Sequence, residues 1–496
     1  MHCTQEVVLS TAPGGGDTVL VNVRRLFPFA LFVLLLAVAV RPTIDPDMWW
    51  HLRTGEAILD GGIPRQDIFS FTYPTNVWVT HEWLSQVFMW GVYRLAGLNA
   101  LMITFAVMTT VTWGLVYSLS DGKPYVAGMV VAVAAKASQV VWGSRPQLFN
   151  LLFFAVFIFL LERRRDGAVG KKVYFVFPLL ILVWANLHSG FVLGIVVLAT
   201  YLIGGYFERR RRAPDPRALP HGDMGRLGFA VVAATLVSLA NPNGMRLWTF
   251  PVENLTSPIQ RELIVEWFPP TPDQLIFWFT VGLVVVGVLG FVTAARRPAA
   301  TDILMFGGTA LGAFLSVRNI PIFAIAATPI VCRYLTDALS AKSLVAPGDE
   351  PEARRLPTLV AGAAIGGAAF VIAAATIAGN AATVRDAFPE AAVDWVEANG
   401  RTGERIFNAY GWGGYLIWRG LPVYVDGRAD VYGDAGLMNF RQTWDVEPGW
   451  EEPLDRFEVS LVMVPRGSRL AVVLNEAPRW RTEYEDPVTL VFGRSG

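Results

Sequence analysis

Apolar runs of roughly 14–23 residues recur through the first ~380 positions of this chain, near the ~20 residues that span a hydrocarbon core. They constrain the fold more than any other feature, because so many cannot be hidden inside one soluble core. Composition agrees: of 496 residues, 53% are hydrophobic and 17% charged, against about 25% charged in soluble domains. The final ~115 residues, by contrast, have ordinary soluble composition. A polytopic α-helical membrane protein with a C-terminal α/β domain is therefore expected. Runs near 26–41, 98–119, 125–142, 148–161, 173–187, 191–207, 227–240, 275–293, 303–317, 320–332 and 357–379 predict about eleven transmembrane helices. The expected division is a tail, 1–25, a membrane region, 26–379, with a large first outer loop, 41–97, and a soluble domain, 380–496.

Lys and Arg fall in alternate gaps. One set, including Arg24, Lys123, "ERRRDGAVGKK" (162–172), "ERRRRAPDPR" (208–217) and Arg296, far outnumbers the other, which is Arg41, Arg53, Arg65, Arg94, Arg145, Arg246, Arg261 and Arg318. The positive-inside rule puts the richer set in the cytoplasm. An odd number of spans then puts the C-terminal domain outside, in the bacterial inner membrane. The first run also fits a cleaved signal peptide. Two cysteines, Cys3 and Cys332, allow neither a disulfide framework nor zinc spacing. Basic residues occur as short helix flanks, so nothing points to nucleic acid.

The cytoplasmic loops read as basic and otherwise featureless. The outer gaps hold the specific polar residues: "DPDMWWHLRTGE" (45–56), "WVTHEWLSQ" (78–86), "SRPQ" (144–147), "ANLHSG" (185–190), "NPNG" (241–244), "ELIVEWFPP" (262–270) and "VRNIP" (317–321). Singly, each suits a helix end or turn. Together on one face, such groups mark a site. In the first outer loop, Asp47 is expected to cap a helix over 48–59, with Trp49 and Trp50 in the interfacial aromatic belt. His51 alone suits a surface histidine. Lys136 suits either a snorkelling residue or a cavity wall. Residues 81–97 read as a second interfacial helix.

An outward acid just after the first span, two juxtamembrane helices, many spans and an outer C-terminal domain resemble the GT-C glycosyltransferases. The resemblance includes protein O-mannosyltransferases, the lipid A aminoarabinose transferase and oligosaccharyltransferases. It covers the first ~120 residues in pattern and the remaining spans only in architecture; no Asp-Glu pair directly follows the first span, and no His-Pro-Pro element is present. The chain is also similar to uncharacterised bacterial membrane proteins sharing "DPDxWWHLRTGE", "HEWL", "NPNG" and "DGRAD". The first resemblance implies an inverting transfer of a sugar from a polyprenyl (pyro)phosphate to an extracytoplasmic acceptor, at the bilayer surface. It makes Asp47 the expected general base, with Asp45 and Glu82 as further catalytic candidates. A base must take the acceptor's proton, and cations must steady the departing phosphate. Arg145, Arg261, Arg318 and His188 are candidates for the second task, and His51, Arg53 and His81 for other substrate contacts. A divalent metal, Mg or Mn, is compatible with these hard oxygen ligands, although no metal site is read from the sequence. The alternative is a non-catalytic transporter or assembly factor for lipid-linked saccharides. Acids at the interface rather than the bilayer midplane, and the lack of an internal repeat, speak for the enzyme.

In the C-terminal domain, "RIFN", "PVYVDGR", "VSLVMVP" and "TLVFGR" read as strands, and helices are expected at 436–445 and 468–478. "DGRAD" suits an internal ion-pair network or a saccharide contact. "GWGG" lacks the strand–helix context of a dinucleotide loop. The charge asymmetry predicts that cysteines introduced at Gly62 and Gly433 both react with an impermeant thiol reagent added from outside. Labelling of one from each side would overturn the eleven-span arrangement.

Overall fold

The computed structural model describes residues 23–120, 122, 124–213, 215–341 and 355–495. The tail before residue 23, with Cys3, and the basic positions Lys123, Lys342 and Arg354 lie outside them. Each of the eleven apolar runs falls on a helix. In chain order the first seven helices are α1 Val23–Ala39, α2 Pro46–Gly61, α3 Trp83–Ser118, α4 Pro124–Ser138, α5 Gln147–Arg165, α6 Val176–Leu187 and α7 Val192–Arg209. They are followed by α8 Asp223–Val237, α9 Arg246–Thr256, α10 Pro258–Leu263, α11 Leu275–Thr293, α12 Ala300–Leu315, α13 Ile320–Ala341 and α14 Arg355–Ala387. Among the described residues, six helical stretches are long and apolar enough to cross a membrane, those at Trp83–Ser118, Pro124–Val141, Ser189–Arg209, Leu275–Thr293, Val317–Ala341 and Leu359–Ala387. Leu26–Ala39 and Ala300–Leu315 are shorter apolar helices.

The innermost helix is α13, in which every residue from Ile320 to Tyr334 is buried. Small residues along it, Ala324, Ala326 and Ala327, let α4, α11 and α12 pack closely around it. One end of this bundle holds a buried ionic knot. Glu162 of α5 accepts from Arg165, Arg217, Arg333 and Tyr201, while Asp302 of α12 accepts from Arg165, Arg333 and Tyr334. This corrects the reading of the basic loops as featureless. Arg165, Arg217 and Arg333 are spent on tying α5, α12 and α13 together.

At the other end, the chain between α1 and α3 differs from expectation in two ways. Pro46 occupies the first helical position, where its fixed φ suits it. The helix therefore begins two residues early, and Asp45, not Asp47, caps it by accepting from the Asp47 N–H at 3.0 Å. Trp49 and Trp50 do not face the interface. Both are buried, Trp49 against Phe388, Tyr415 and Trp418. The second interfacial helix is present as the first turns of α3, separated from the span by a break at Ala96 and Gly97, whose φ of 67° suits glycine.

The C-terminal residues form a four-stranded sheet, β1 Ile406–Asn408, β2 Leu461–Pro465, β3 Trp480–Glu485 and β4 Thr489–Arg494, in the order β1-β2-β4-β3. β1 and β2 are parallel and the other pairs antiparallel. "PVYVDGR" is not a strand. Asn408 takes the place of ladder partners there, accepting from Tyr424 N–H and donating to the Val425 carbonyl, which leaves Val423 with single bridges to Ile406 and to Ser70 of the first loop. β3 escaped the sequence reading because it is an exposed, charged edge strand, "WRTEYE". Helices α15 Glu390–Ala398, α16 Gly413–Trp418, α17 Ala429–Trp444, α18 Glu452–Arg456 and α19 Arg469–Glu476 complete the unit.

The ion pairs of "DGRAD" are internal in part and also reach outside this unit. Arg428, 2% exposed, bonds Asp426 within the motif and reaches Asp67 of the first loop at 2.8 Å. Its guanidinium also lies over the Trp78 ring, 4.5 Å from the centroid. Tyr432 donates to Asp426. Removing one partner strands buried charge on the others, at about 3–5 kcal/mol. Arg428→Ala is therefore expected to lower the melting temperature and to open the 62–80 segment to limited proteolysis. Unchanged cleavage there would show that the first loop does not depend on this latch.

Candidate functional site

Arg145 follows the short turn after α4, and three carboxylates from distant parts of the chain converge on it. Nε lies 3.2 Å from Asp45, one terminal nitrogen 2.7 Å from Asp47 and the other 2.6 Å from Glu266. Burial works against its charge, and the three acids outweigh burial, holding its pKa above the ordinary arginine value. Local geometry sets each acid. Asp45 is fixed by capping α2. Asp47, in the first turn, accepts from Trp50 Nε1 at 3.1 Å with its other oxygen. Glu266 rides on a turn pinned to the start of α13, where Ser316 Oγ donates to the Glu266 carbonyl and Val317 N–H to that of Phe268. The same turn places Arg318 among Glu266, Glu82 and Asp47, with no ion pair within 4 Å among the described residues.

Beside this cage stands a second group. Burial, reinforced by the nearby Asp47, pushes the Glu82 carboxyl up to about 8, against opposing Arg318 and Arg145. Glu82 is thus protonated at neutral pH. It lies between two histidines, 3.5 Å from His81 Nε2 and 3.8 Å from His188 Nε2. The two rings are held in opposite senses. Nδ1 of His188 accepts from Gly190 N–H at 3.0 Å and also contacts the Asn150 amide, whereas Nδ1 of His81 contacts the Val79 carbonyl at 3.1 Å and so carries the proton. Burial lowers the pKa of both, and of His51. Asp45 is raised to about 6 by burial, opposed by Arg145.

Asp45, Asp47, Glu82, His81, Arg145, His188 and Arg318 thus lie together. Of the other three sequence candidates, His51 lies at the edge of this group, within electrostatic reach of Arg145, His81 and His188, whereas Arg53 and Arg261 are engaged elsewhere. His51 is not a surface residue but is buried against Gln86 of α3. Arg53 pairs with Glu56 one turn along α2. Arg261 is exposed and donates to the Leu255 carbonyl. Glu266 was missed because "ELIVEWFPP" offers two glutamates and no spacing that selects one. No group of three His, Cys, Asp or Glu side chains arranged to hold a metal occurs among the described residues. The converging acids instead surround a guanidinium, a poor fit to a resident Mg or Mn. A cavity of about 530 Å³ opens beside Asp45, lined by Arg41, Lys136, Trp142, Leu275 and Phe279 among others. Lys136 is therefore a wall residue, and it donates to Gln139.

No family model matches the chain, and no curated protein matches it in sequence. Its likeness is to solved structures. The archaeal oligosaccharyltransferase AglB from Archaeoglobus fulgidus, solved with an inhibitory peptide and a dolichol-phosphate, superposes with a TM-score of 0.56 at 12% identity, over 95% of this chain and 74% of that one. ArnT from Cupriavidus metallidurans, bound to undecaprenyl phosphate, superposes with a TM-score of 0.52 at 12% identity, over 95% of this chain and 97% of that one. The chain has the GT-C fold of these membrane glycosyltransferases.

Glu82 gives the site a pH signature. Its folded pKa, about 8, lies above its ordinary 4.5, so the folded state holds the proton more tightly. The associated stability is complete below pH 4.5 and is lost as pH rises through 8. Asp45 acts up to about 6, and the buried histidines act below their ordinary 6.5. Between pH 6.5 and 8 the wild-type melting temperature is therefore expected to fall and that of Glu82→Gln to stay nearly level. Parallel slopes would show that Glu82 does not carry that proton.

Proposed function

We propose that this protein is an outward-facing, inverting glycosyltransferase of the bacterial inner membrane. It uses a sugar carried on a polyprenyl phosphate or pyrophosphate and an extracytoplasmic acceptor. In this reading the chain crosses the bilayer eleven times, and the 380–496 domain lies outside. The observation that carries it is the Arg145 cage, with Arg318 beside it and a cavity opening at Asp45. Two guanidinium groups suit a phosphate, and the adjoining cavity has apolar and cationic walls suited to a lipid phosphate. That AglB and ArnT were solved with polyprenyl phosphates supports this donor class.

The cage suggests how the base is released. Arg145 and Trp50 both donate to Asp47, one to each oxygen. A donor phosphate competes for the same guanidinium and loosens the Asp47 pair. The acceptor hydroxyl oxygen then attacks the anomeric carbon from the face opposite the phosphate. The carbon–oxygen bond to phosphate breaks, the hydroxyl proton passes to Asp47, and the lipid phosphate leaves against Arg145 and Arg318. Asp45, committed to its cap, orients Arg145. Glu82, protonated between two histidines, is a hydrogen-bond donor at neutral pH rather than the base.

Two variants test the division of labour. Asp47→Asn is expected to lower transfer about 10²–10⁴-fold, the usual contribution of a general base, while undecaprenyl phosphate still binds. Arg318→Ala, which breaks no ion pair, is expected to weaken undecaprenyl phosphate binding in a folded protein. Near-normal turnover of Asp47→Asn in consuming lipid-linked sugar would remove Asp47 as base. Wild-type protein that binds no undecaprenyl phosphate would remove the donor assignment.

A further inference from the structure

Two glycine-rich stretches of the C-terminal unit are seated on the Asp-Pro-Asp segment. A Cβ added at Gly427 would fall 1.9 Å from Asp47 Oδ1, and one at Gly414 would fall 2.2 Å from the Pro46 carbonyl oxygen. Only glycine allows backbone to approach a carboxylate so closely. The backbone of "DGRAD" is thus a wall of the Asp47 site. Latching by Arg428 to Asp67 fixes this wall against the first loop, and Ser257 at the start of α10 donates to Asp434 of α17 at 2.6 Å.

This wall carries polar groups that the chemistry above leaves unused. Asp430 lies in the first turn of α17, near His81, and burial raises its pKa to about 6 although Arg428 and His81 oppose this. Tyr410 stands in the short turn before α16, close to Asp47, Asp426 and Asp430. Among the described residues neither side chain makes a hydrogen bond or ion pair with another residue. Both side chains are only half-buried, so their polar atoms remain open to a ligand entering the site. Charge is divided across the site: Arg145 and Arg318 hold one side, and Asp430 and Tyr410 line the side supplied by the C-terminal unit. A carboxylate repels a phosphate but accepts readily from paired hydroxyls, and a phenol both donates and accepts.

We infer that Asp430 and Tyr410 bind the acceptor, and that this acceptor presents a saccharide's cluster of hydroxyls to Asp47. This rests on the glycosyltransferase reading and names the acceptor class for the same site. Asp430 then fixes which hydroxyl faces the base, and Gly427 is a positioning residue whose missing side chain lets Asp47 reach it.

The test uses the full chain in lipid nanodiscs loaded with undecaprenyl phosphate. Methyl glycosides of mannose, glucose, galactose and arabinose serve as acceptor probes, followed by saturation-transfer NMR. Wild-type protein is expected to bind at least one glycoside. Asp430→Asn and Tyr410→Phe should each weaken that binding by about tenfold, the loss expected for one good hydrogen bond, with undecaprenyl phosphate affinity and melting temperature unchanged. Arg318→Ala should show the converse. Tyr410→Phe keeps the ring, so it reads the hydroxyl alone should Asp430→Asn disturb folding. Absence of any glycoside signal, or equal affinity in wild type and both variants, overturns the proposal. Loss of undecaprenyl phosphate binding by the wild type would instead remove the donor reading, a separate result.

Discussion

A buried arginine held by three carboxylates is the constraint around which the site is arranged. Arg145 draws Asp45 and Asp47 from the start of α2, and Glu266 from the turn before α11. Charges taken out of water survive only in good geometry with compensating partners, so these segments cannot move independently. The cage therefore joins the two ends of the membrane region across 121 positions between Arg145 and Glu266 alone. It also sets the state of its surroundings. The acids hold Arg145 charged, while nearby Glu82, buried without a close cation, stays protonated.

A second buried arginine performs the equivalent task between the first loop and the C-terminal unit. Arg428 reaches Asp67, which itself accepts from the backbone of Phe69 and Ser70 and so shapes the loop that it anchors. Phe71 N–H then donates to the Val423 carbonyl and Val423 N–H to that of Phe69, which adds a piece of the first loop to the edge of the sheet. Trp49, Tyr415 and Phe388 fill the space beneath. The C-terminal unit is thus built into the helix-bearing part through charge, backbone pairing and aromatic packing together.

Much of this was legible in sequence, and the failures share a cause. Each apolar run fell on a helix, because a long apolar run is a matter of local composition. The outer gaps nominated Asp45, Asp47, Glu82, Arg145, His188 and Arg318, which do lie together. What sequence could not supply was pairing between distant segments. Trp49 and Trp50 fit an interfacial belt on their own, yet the C-terminal unit covers them. His51 seemed a surface residue for the same reason. "DGRAD" was legible as an ion-pair network, but its partner Asp67 stands 361 positions away. Glu266 had no distinguishing neighbour in the chain. Gly427 and Gly414 carried no signal, since a glycine's use lies in what approaches it.

The two acids that straddle Pro46 show how one backbone restraint can separate chemically identical groups. Proline fixes its own φ and lacks an N–H, so it starts the helix and leaves the Asp47 N–H as an early unsatisfied donor. Asp45 is the residue placed to accept it. That bond, burial and Arg145 occupy the Asp45 carboxylate from several sides. Asp47, one residue inside the helix, has no capping duty. Its carboxylate is 23% exposed and bonded only through side chains, to Arg145 and Trp50. Side-chain bonds can be exchanged without unwinding a helix, whereas a cap cannot be given up so easily. Of the two acids, Asp47 is therefore the one free to change partners when an anion arrives, and Asp45 is the one that keeps the helix start in place while it does.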